Sequence, residues 1–252
     1  NHLIYYHSDT VLTNFNLINL ELDGREQTTY DLVHIEKISS DIVYVWDKSI
    51  IDSCVIHYGK VGVYCTVSGN VKIVNSVIES NDIGIKQSYE HFHIMNTTIW
   101  GNRIGADIYK ANHFTWVDVT FAHNTECGVN ADLSFESCLN ACNFIDNVVH
   151  FTGSVYSYRF IGCRFIDAQK GIYGINWNNI IDGCLFQNLS DTAIRAIYPD
   201  GSNVISNNVF QINGLDIEIG GTDNLIHANQ FRTTEKSAIK VVGDSISGLQ
   251  IS

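Results

Sequence analysis

The sequence predicts an all-β fold: a right-handed, single-stranded parallel β-helix with three strands per coil and about 21–22 residues per coil. A six-residue phrase recurs ten times at a spacing of 20 to 24 residues, its third position favours a tight bend, and apolar stripes of helical period are nearly absent. The ten copies begin at Ile51, Ile73, Ile94, Trp116, Leu139, Phe160, Ile181, Ile205, Ile226 and Ile246. This period is typical of a solenoid, in which each repeat buries its apolar face only against its neighbours.

The phrase itself predicts two short strands joined by a bend. Its first, fourth and sixth positions should face inward and alternate with polar second and fifth positions. The third position is Asn, Asp or Gly in seven of the ten copies, and these residues tolerate the left-handed conformation that a bend requires. At the sixth position we expect an internal column of offset, stacked rings. The column would consist of Phe121, Phe144, Phe165, Phe186, Phe210 and Phe231.

Two further columns complete each coil. Three positions after the phrase, Asn81, Asn102, Asn124 and Asn147 recur, and we expect their side chains to hydrogen-bond along the stack as structural turn ladders do. A third apolar beat, often introduced by Gly, then predicts a third short strand in every coil. Parallel strands joined by crossovers are right-handed in nearly all proteins, which gives the predicted hand.

We expect one domain over residues 1–252, with an irregular N-terminal coil at 1–48 and regular coils at 49–252, cut from a longer chain. Residues 12–17 resemble the phrase, but the first regular copy ends 39 residues later, at Ile56. Further early strands are expected at residues 20–24, 31–36 and 42–46, with a turn at 23–24. The N-terminal region should therefore hold an enlarged coil or an insertion.

The formal net charge of −12 argues against two classes of partner. Nucleic acid and anionic membrane surfaces are bound by clustered Lys and Arg, which this chain does not show. No run of 18 apolar residues predicts a transmembrane helix, and no secretory signal opens the chain. Neutral or cationic sugars are compatible with the charge.

The seven cysteines suggest buried free thiols rather than disulfides. Four hold the fourth position of the phrase, where parallel, inward-pointing side chains bridge poorly. This pattern predicts folding in a reducing compartment. We expect no cofactor and no metal: Cys138 and Cys142 lack a second pair for zinc, and the motif His91-x-His93, with His113 near in sequence, gives only a weak signal.

The runs at residues 15–24, 32–35 and 50–56 resemble the opening of a pectate-lyase-type right-handed β-helix, and the coil pattern extends this resemblance over roughly residues 12–251. The resemblance implies binding or cleavage of polysaccharide, often in a groove on the flank of the third strand. The polygalacturonase motifs and a pectate-lyase type of calcium cluster are missing from the sequence. Acidic character, free cysteines and the missing signal are most similar to the bacteriophage tailspike branch. That branch implies a homotrimer that folds in the cytoplasm and acts on a virion tail or outside the cell.

Candidate chemistry lies in the outward row that follows the third apolar beat. Glycoside hydrolysis needs two carboxyl groups, about 5 Å apart for retention or about 6.5–9.5 Å apart for inversion, and equivalent positions on adjacent coils supply such spacings. Asp107 with Asp132 is the first predicted pair, and Glu136 is the reserve acid. A solvated surface is the competing interpretation of these carboxylates. The row as predicted contains Tyr64, Lys86, Asp107, Asn130, His150, Tyr173, Arg195, Glu218 and Lys240.

Aromatic and polar side chains near the following turn are the candidates for contacts to sugar rings. They are Tyr109, Asn130, His150, Tyr156, Tyr173, Trp177, Arg195 and Tyr198, whereas Trp116 falls at an inward position and should belong to the core. The alternating charges of Arg195, Glu218 and Lys240 favour a structural ladder. Three functions stay open: a tailspike-like depolymerase acting by hydrolysis or elimination, a non-catalytic shaft or glycan-binding adhesin, and a secreted polysaccharide lyase or epimerase.

Overall fold

The computed structural model describes residues 2–8, 16–37, 48–65, 70–88, 91–199, 201–232, 237–243 and 247–252. These residues form a parallel β-solenoid, in which each strand pairs with the strand one coil before it and the strand one coil after it. Parallel pairing between successive coils is expected when every coil repeats the same strand order. Among the described residues, no helix is long and apolar enough to cross a membrane.

Twenty-eight strands make up the three faces of the solenoid. The first face, which carries the start of each phrase, contains β2 (Asn16–Ile18), β4 (Lys48–Asp52), β6 (Asn70–Val74), β9 (Phe92–Trp100), β11 (Thr115–Ala122), β14 (Cys138–Asn140), β18 (Arg159–Ile161), β20 (Ile180–Asp182), β22 (Val204–Ser206), β25 (Leu225–His227) and β28 (Gln250–Ile251). The second face adds β3 (Glu21–Lys37), β5 (Val55–Cys65), β7 (Val77–Glu79), β15 (Asn143–Ile145), β19 (Arg164–Tyr173), β21 (Leu185–Ala196), β23 (Val209–Gln211) and β26 (Gln230–Arg232). The third face contains β1 (His2–Ser8), β8 (Ile83–Ser88), β10 (Ile104–Tyr109), β12 (Cys127–Asp132), β16 (Val149–Thr152), β24 (Leu215–Ile219) and β27 (Ile239–Val241). A small separate pair, β13 (Ser134–Phe135) and β17 (Val155–Tyr156), forms at the turn after the third face.

The predicted inner aromatic column is confirmed. Phe144 stacks on Phe165 at 4.8 Å between ring centroids, and Phe165 stacks on Phe186 at 4.8 Å with only 4° between the ring planes. The same stacking continues from Phe121 at one end to Phe231 at the other. Trp116 is fully buried and belongs to the core, as its inward position predicts.

The predicted bend at the third position of the phrase is also confirmed. Every described third position is left-handed, from φ 46° at Asn96 to φ 63° at Gly183, and even Ala141 adopts φ 53° there. A side chain with a Cβ atom is strained in this region, so the turn imposes its geometry on the sequence and Asn, Asp and Gly satisfy it at the lowest cost.

The boundaries of the repeat differ from the prediction at both ends. The first copy is residues 17–22, because Leu17 pairs with Ile51 and Leu22 pairs with Ile56. The last predicted copy is wrong, because Ile251 pairs with Ile226 and thus begins a coil, whereas the prediction placed it at the end of a phrase.

The enlarged N-terminal coil is present as the long strand β3. This strand changes register against β5 between Asp23 and Gln27 and again before Asp31, so residues 23–24 lie within a strand and do not end one. Residues 12–15 and 42–46, on which two of the strand predictions fall, lie outside the described residues.

The predicted asparagine column forms a continuous ladder inside the second turn. Each side-chain amide donates to the Oδ1 of the Asn one coil on, at 3.1 Å from Asn81 to Asn102, 3.2 Å from Asn102 to Asn124 and 2.8 Å from Asn124 to Asn147. Each Oδ1 also accepts the backbone N–H of the preceding Asn. The ladder therefore satisfies buried backbone groups where the strands of the second and third faces meet.

All seven cysteines are free thiols, as predicted. In successive coils, Cys142, Cys163 and Cys184 point inward, and each thiol donates to a backbone carbonyl of the preceding coil. Their side chains run parallel along the stack, a direction that does not suit a bridge between them.

Candidate functional site

The outward row of the third face is continuous over the described coils. Asp107 lies between Lys86 and Asn130 in the strand register, and Tyr173 lies next to Arg195, which is followed by Glu218 and Lys240. At the one remaining coil the residue is Thr152, which pairs with both Asn130 and Tyr173. Thr152 was missed, although the inward residue before it follows the sixth phrase position by seven or eight residues in every coil.

His150 does not belong to that outward row, and its prediction as a sugar-contacting residue is wrong. Its register partners are Gly128 and Gly171, so it lies one position before the outward-facing Thr152 would require, inside the solenoid. The side chain is fully buried, and Asn147 contacts its Nδ1 atom at 3.1 Å. Burial lowers the pKa of His150 to about 3, although the nearby Ile166 carbonyl opposes the shift.

The first predicted acid pair does come together on the third face. Asp107 pairs with Asn130 across the coils, and Tyr109 pairs with Asp132, so these four outward side chains form a quadrilateral on two adjacent strands. Because coils are about 4.8 Å apart and strands rise about 3.3 Å per residue, the Cα atoms of the two aspartates are separated by about 8 Å along its diagonal. The Asn130 amide donates to Asp107 Oδ1 at 2.9 Å.

Glu136 lies apart from the quadrilateral, beyond the turn that follows Asp132. It adopts φ 47° and pairs with His113 Nε2 at 2.8 Å, and both side chains are at least half exposed. His113 in turn stacks on His91 at 5.5 Å. The structure therefore gives this reserve acid a charge partner of its own and does not bring it to the Asp107–Asp132 pair.

A second group of predicted residues forms an outer aromatic column on the same turn. Phe135 stacks on Tyr156 at 4.8 Å, Tyr156 meets Trp177 at 4.5 Å, and Trp177 meets Tyr198 at 5.8 Å. All four rings are partly or largely solvent exposed. Phe135 was missed by the sequence analysis, although it precedes Tyr156 by one repeat length. Tyr109 is exposed on the adjoining strand, opposite Asp132.

Tyr173 and Arg195 belong to a third group, which is a charge ladder as predicted. Arg195 pairs with Glu218 at 2.8 Å and Lys240 pairs with the same carboxylate at 2.7 Å. The cationic groups of Lys170 and Arg195 lie 4.1 Å and 4.7 Å from the centroid of the Tyr173 ring. These contacts occupy the polar groups with one another, which favours a structural role for this part of the row.

The described residues show no group of three or more His, Cys, Asp or Glu side chains arranged to hold a metal ion. His93 is half buried, and burial is the main reason that its pKa is lowered. A shallow depression of about 370 Å³ lies at a different corner of the coil, where Ala168 interrupts the asparagine column between Asp146, Asp167 and Asn188.

A family model described as a right-handed β-helix region matches residues 18–162. This span exceeds half of the chain, so the protein belongs to that family, and its right-handed parallel β-solenoid fold agrees with the sequence prediction. No curated protein sequence matches the chain.

Solved structures of similar shape come from several sources. The A-module of mannuronan C-5 epimerase AlgE6 from Azotobacter vinelandii is 12% identical, with a TM-score of 0.75 over 95% of this chain and 74% of that chain. ORF18 of Geobacillus virus E2 is 14% identical, with a TM-score of 0.55 over 93% of this chain and 51% of that chain. An alginate lyase from Paenibacillus sp. str. FPU-7 is 14% identical, with a TM-score of 0.52 over 81% of this chain and 88% of that chain. At such identities the likeness shows the fold alone.

Proposed function

We propose that this protein binds a polysaccharide along the third face of the solenoid and the turn that follows it. The observation that carries the proposal is the outer aromatic column, which lies beside the Asp107–Asp132 quadrilateral and repeats once per coil. A solenoid presents similar chemistry at each step along its axis, and a polymer of sugar rings is a ligand with the same kind of repetition. The polysaccharide enzymes among the structures of similar fold support this choice of ligand.

Cleavage of the bound glycan is the second part of the proposal. Two carboxyl groups on residues about 8 Å apart match the wider spacing that inverting hydrolysis needs, because a water molecule must fit between one of them and the sugar. Asp107 accepts a hydrogen bond from Asn130, which suits a carboxylate acting as the base toward that water. Asp132, opposite Tyr109, would then protonate the leaving glycosidic oxygen.

In its most specific form, the proposal is a tailspike-like homotrimer that recognises a bacterial surface glycan from a virion tail or outside the cell. A viral protein among the structures of similar fold supports it, as do seven free thiols, which suit folding in a reducing compartment. Sedimentation analysis of the purified protein tests the trimer, which should show three times the mass of one chain.

The decisive experiment incubates the protein with mannuronan, dextran and chitosan oligomers, together with a panel of bacterial capsular polysaccharides. Binding is measured by calorimetry, and products are measured as new reducing ends or as unsaturated sugars. Asp107→Asn and Asp132→Asn should each lower the rate of product formation by about 10²- to 10⁴-fold, the usual contribution of one acid or base. Asp118→Asn is the matched control, because Asp118 is an exposed carboxylate at the first turn, with φ 54° that Asn tolerates.

Each outcome selects one function. Products that disappear in both variants establish the hydrolase, whereas unsaturated products identify a lyase. Binding without any product favours the second candidate, a glycan-binding shaft or adhesin, which the self-neutralised ladder of Arg195, Glu218 and Lys240 already suits. If none of these glycans binds, the proposal of a polysaccharide ligand is rejected.

A further inference from the structure

We infer that Trp177 is the residue that stacks on a sugar ring, whereas Phe135 and Tyr156 form a structural stack. The inference rests on the proposed function and names the anchoring subsite of that surface. Its starting point is that the outer aromatic column is not uniform: the planes of Phe135 and Tyr156 differ by 14°, but those of Tyr156 and Trp177 differ by 65°.

The difference in plane decides which ring faces remain available. Phe135 and Tyr156 cover each other face to face, like the buried rings of Phe165 and Phe186, whose planes differ by 4°. A sugar stacks on the electron-rich face of an aromatic ring, so a face already covered by another ring cannot serve it. Trp177 is turned out of this stack and is only half buried.

The next coil explains why Trp177 can turn. The backbone N–H of Ser157 donates to the Trp177 carbonyl, and by the same pattern the N–H of Asn178 donates to the Gly201 carbonyl. Gly201 is thus the register neighbour of Trp177, and it carries no side chain to continue the column. A Cβ atom at Gly201 would lie 1.8 Å from the Thr222 carbonyl oxygen, so this position is closed to larger residues.

A longer turn brings Tyr198 to the side of Trp177. The chain between Trp177 and Gly201 is three residues longer than the 21 residues between Tyr156 and Trp177, and the extra length contains Tyr198 and the single proline, Pro199. Tyr198 is 41% exposed, and its ring lies 5.8 Å from Trp177 at an angle of 57°. Two rings at such an angle form an open corner, with the exposed Asn178 next to it as a hydrogen-bonding side chain.

The position of this corner also relates it to the acid pair. Trp177 lies two coils beyond Asp132, which is about 10 Å along the solenoid axis. A glycan anchored on Trp177 and running parallel to the axis therefore passes over Tyr156 and reaches the Asp107–Asp132 quadrilateral. The outer column has Asn112 and no ring in the coil before Phe135, so the anchoring rings all lie on one side of the acids.

Tryptophan fluorescence tests the inference directly. The chain contains four tryptophans; among the described ones, Trp116 is fully buried and Trp100 lies at another corner of the coil. Titration with mannuronan, dextran or chitosan oligomers should change the emission of the wild type, and Trp177→Phe should remove that change. Trp100→Phe is the matched control and should retain it.

Affinity gives the second readout. Trp177→Ala should weaken the binding of the glycan that the wild type recognises by about tenfold or more, the scale of one lost ring contact. Phe135→Ala, which truncates an equally exposed ring of the same column, should change it by less than about twofold. Equal losses in the two variants, or a fluorescence change that survives Trp177→Phe, would overturn the inference and leave glycan binding intact. Absence of binding to every glycan would reject it together with the proposed function.

Discussion

His150 occupies a position that neighbouring coils reserve for glycine. Its register partners are Gly128 and Gly171, and a Cβ atom at Gly128 would press against Phe144 and the amide of Asn147. In the coil after His150 the asparagine is replaced by Ala168, which leaves room for the imidazole. The ring also contacts the Asn147 amide, which has no further asparagine to meet, so His150 ends the ladder.

The buried imidazole should make folding sensitive to acid. The pKa of His150 is lowered to about 3 in the folded protein, whereas an unfolded histidine has an ordinary value. The unfolded state therefore binds one more proton between pH 6.5 and about 4. The stability that His150 contributes is fully present above about pH 6.5 and is lost as pH falls, by about 1.4 kcal/mol per pH unit.

The measurement is the free energy of unfolding by urea at several pH values, compared between the wild type and His150→Asn. The asparagine keeps an acceptor for Asn147 and does not titrate, so the variant should show the flatter pH dependence. His123→Gln is the control, since His123 is half exposed and pairs with Asp146 at 2.9 Å. Parallel pH curves for the wild type and His150→Asn would show that His150 is not a buried neutral base.

At the scale of one element, the asparagine ladder joins the second face to the third. Asn102 donates to the carbonyls of Ile78 and Trp100 and to Asn124, and its Oδ1 accepts both the backbone and the side chain of Asn81. It is fully buried, so each group left without a partner would keep its full desolvation cost.

Asn102→Ala should therefore lower the free energy of unfolding by about 3 kcal/mol, because several buried groups lose their partners together. Asn96→Gly is the matched control: Asn96 donates to Asn75 on the surface at 2.8 Å and adopts φ 46°, which Gly tolerates. Its effect should stay within about 0.5 kcal/mol. Equal effects in urea unfolding would show that the buried ladder contributes no more than an exposed one.

The inner elements were predictable from sequence because burial and bend geometry restrict the residue at each position. The left-handed turn selects Asn, Asp or Gly, and the column from Phe121 to Phe231 repeats without a break. The prediction failed at His150 because Val148 and Val149 imitate the third apolar beat two residues early. It failed at Ile251 because the last turn is longer than the turns before it.

The outer site was only partly predictable, since nothing in the interior constrains it. The positions of Asp107, Asp132, Tyr156 and Trp177 followed from counting repeats, and the structure placed them on one flank. The orientation of Trp177 did not follow, because it depends on a three-residue difference in turn length and on the missing side chain at Gly201. Such differences change the surface without changing the core.

At the scale of the whole molecule, the solenoid is held by contacts between neighbouring coils and by no disulfide. Each coil is stabilised mainly by the coils on either side of it, so a solenoid lacks contacts between distant repeats. The thiols are spread along much of this stack, from Cys54 to Cys184, and they report how tightly the core excludes solvent. Burial raises the pKa of Cys65 and of Cys127 to about 12, so little reactive thiolate forms at either site.

Thiol titration of the native protein should therefore detect one fast-reacting cysteine. Cys138 is half buried beside Arg159, whereas the other six thiols are buried. In urea without reductant all seven should react, and Cys138→Ser should remove the fast phase and leave six. Two or more fast thiols in the native protein would mean that coils open readily in solution, and fewer than seven in urea would reveal a disulfide. A slow, concerted reaction of the remaining six would show that neighbouring coils open together, as expected if stacking between coils supplies most of the stability.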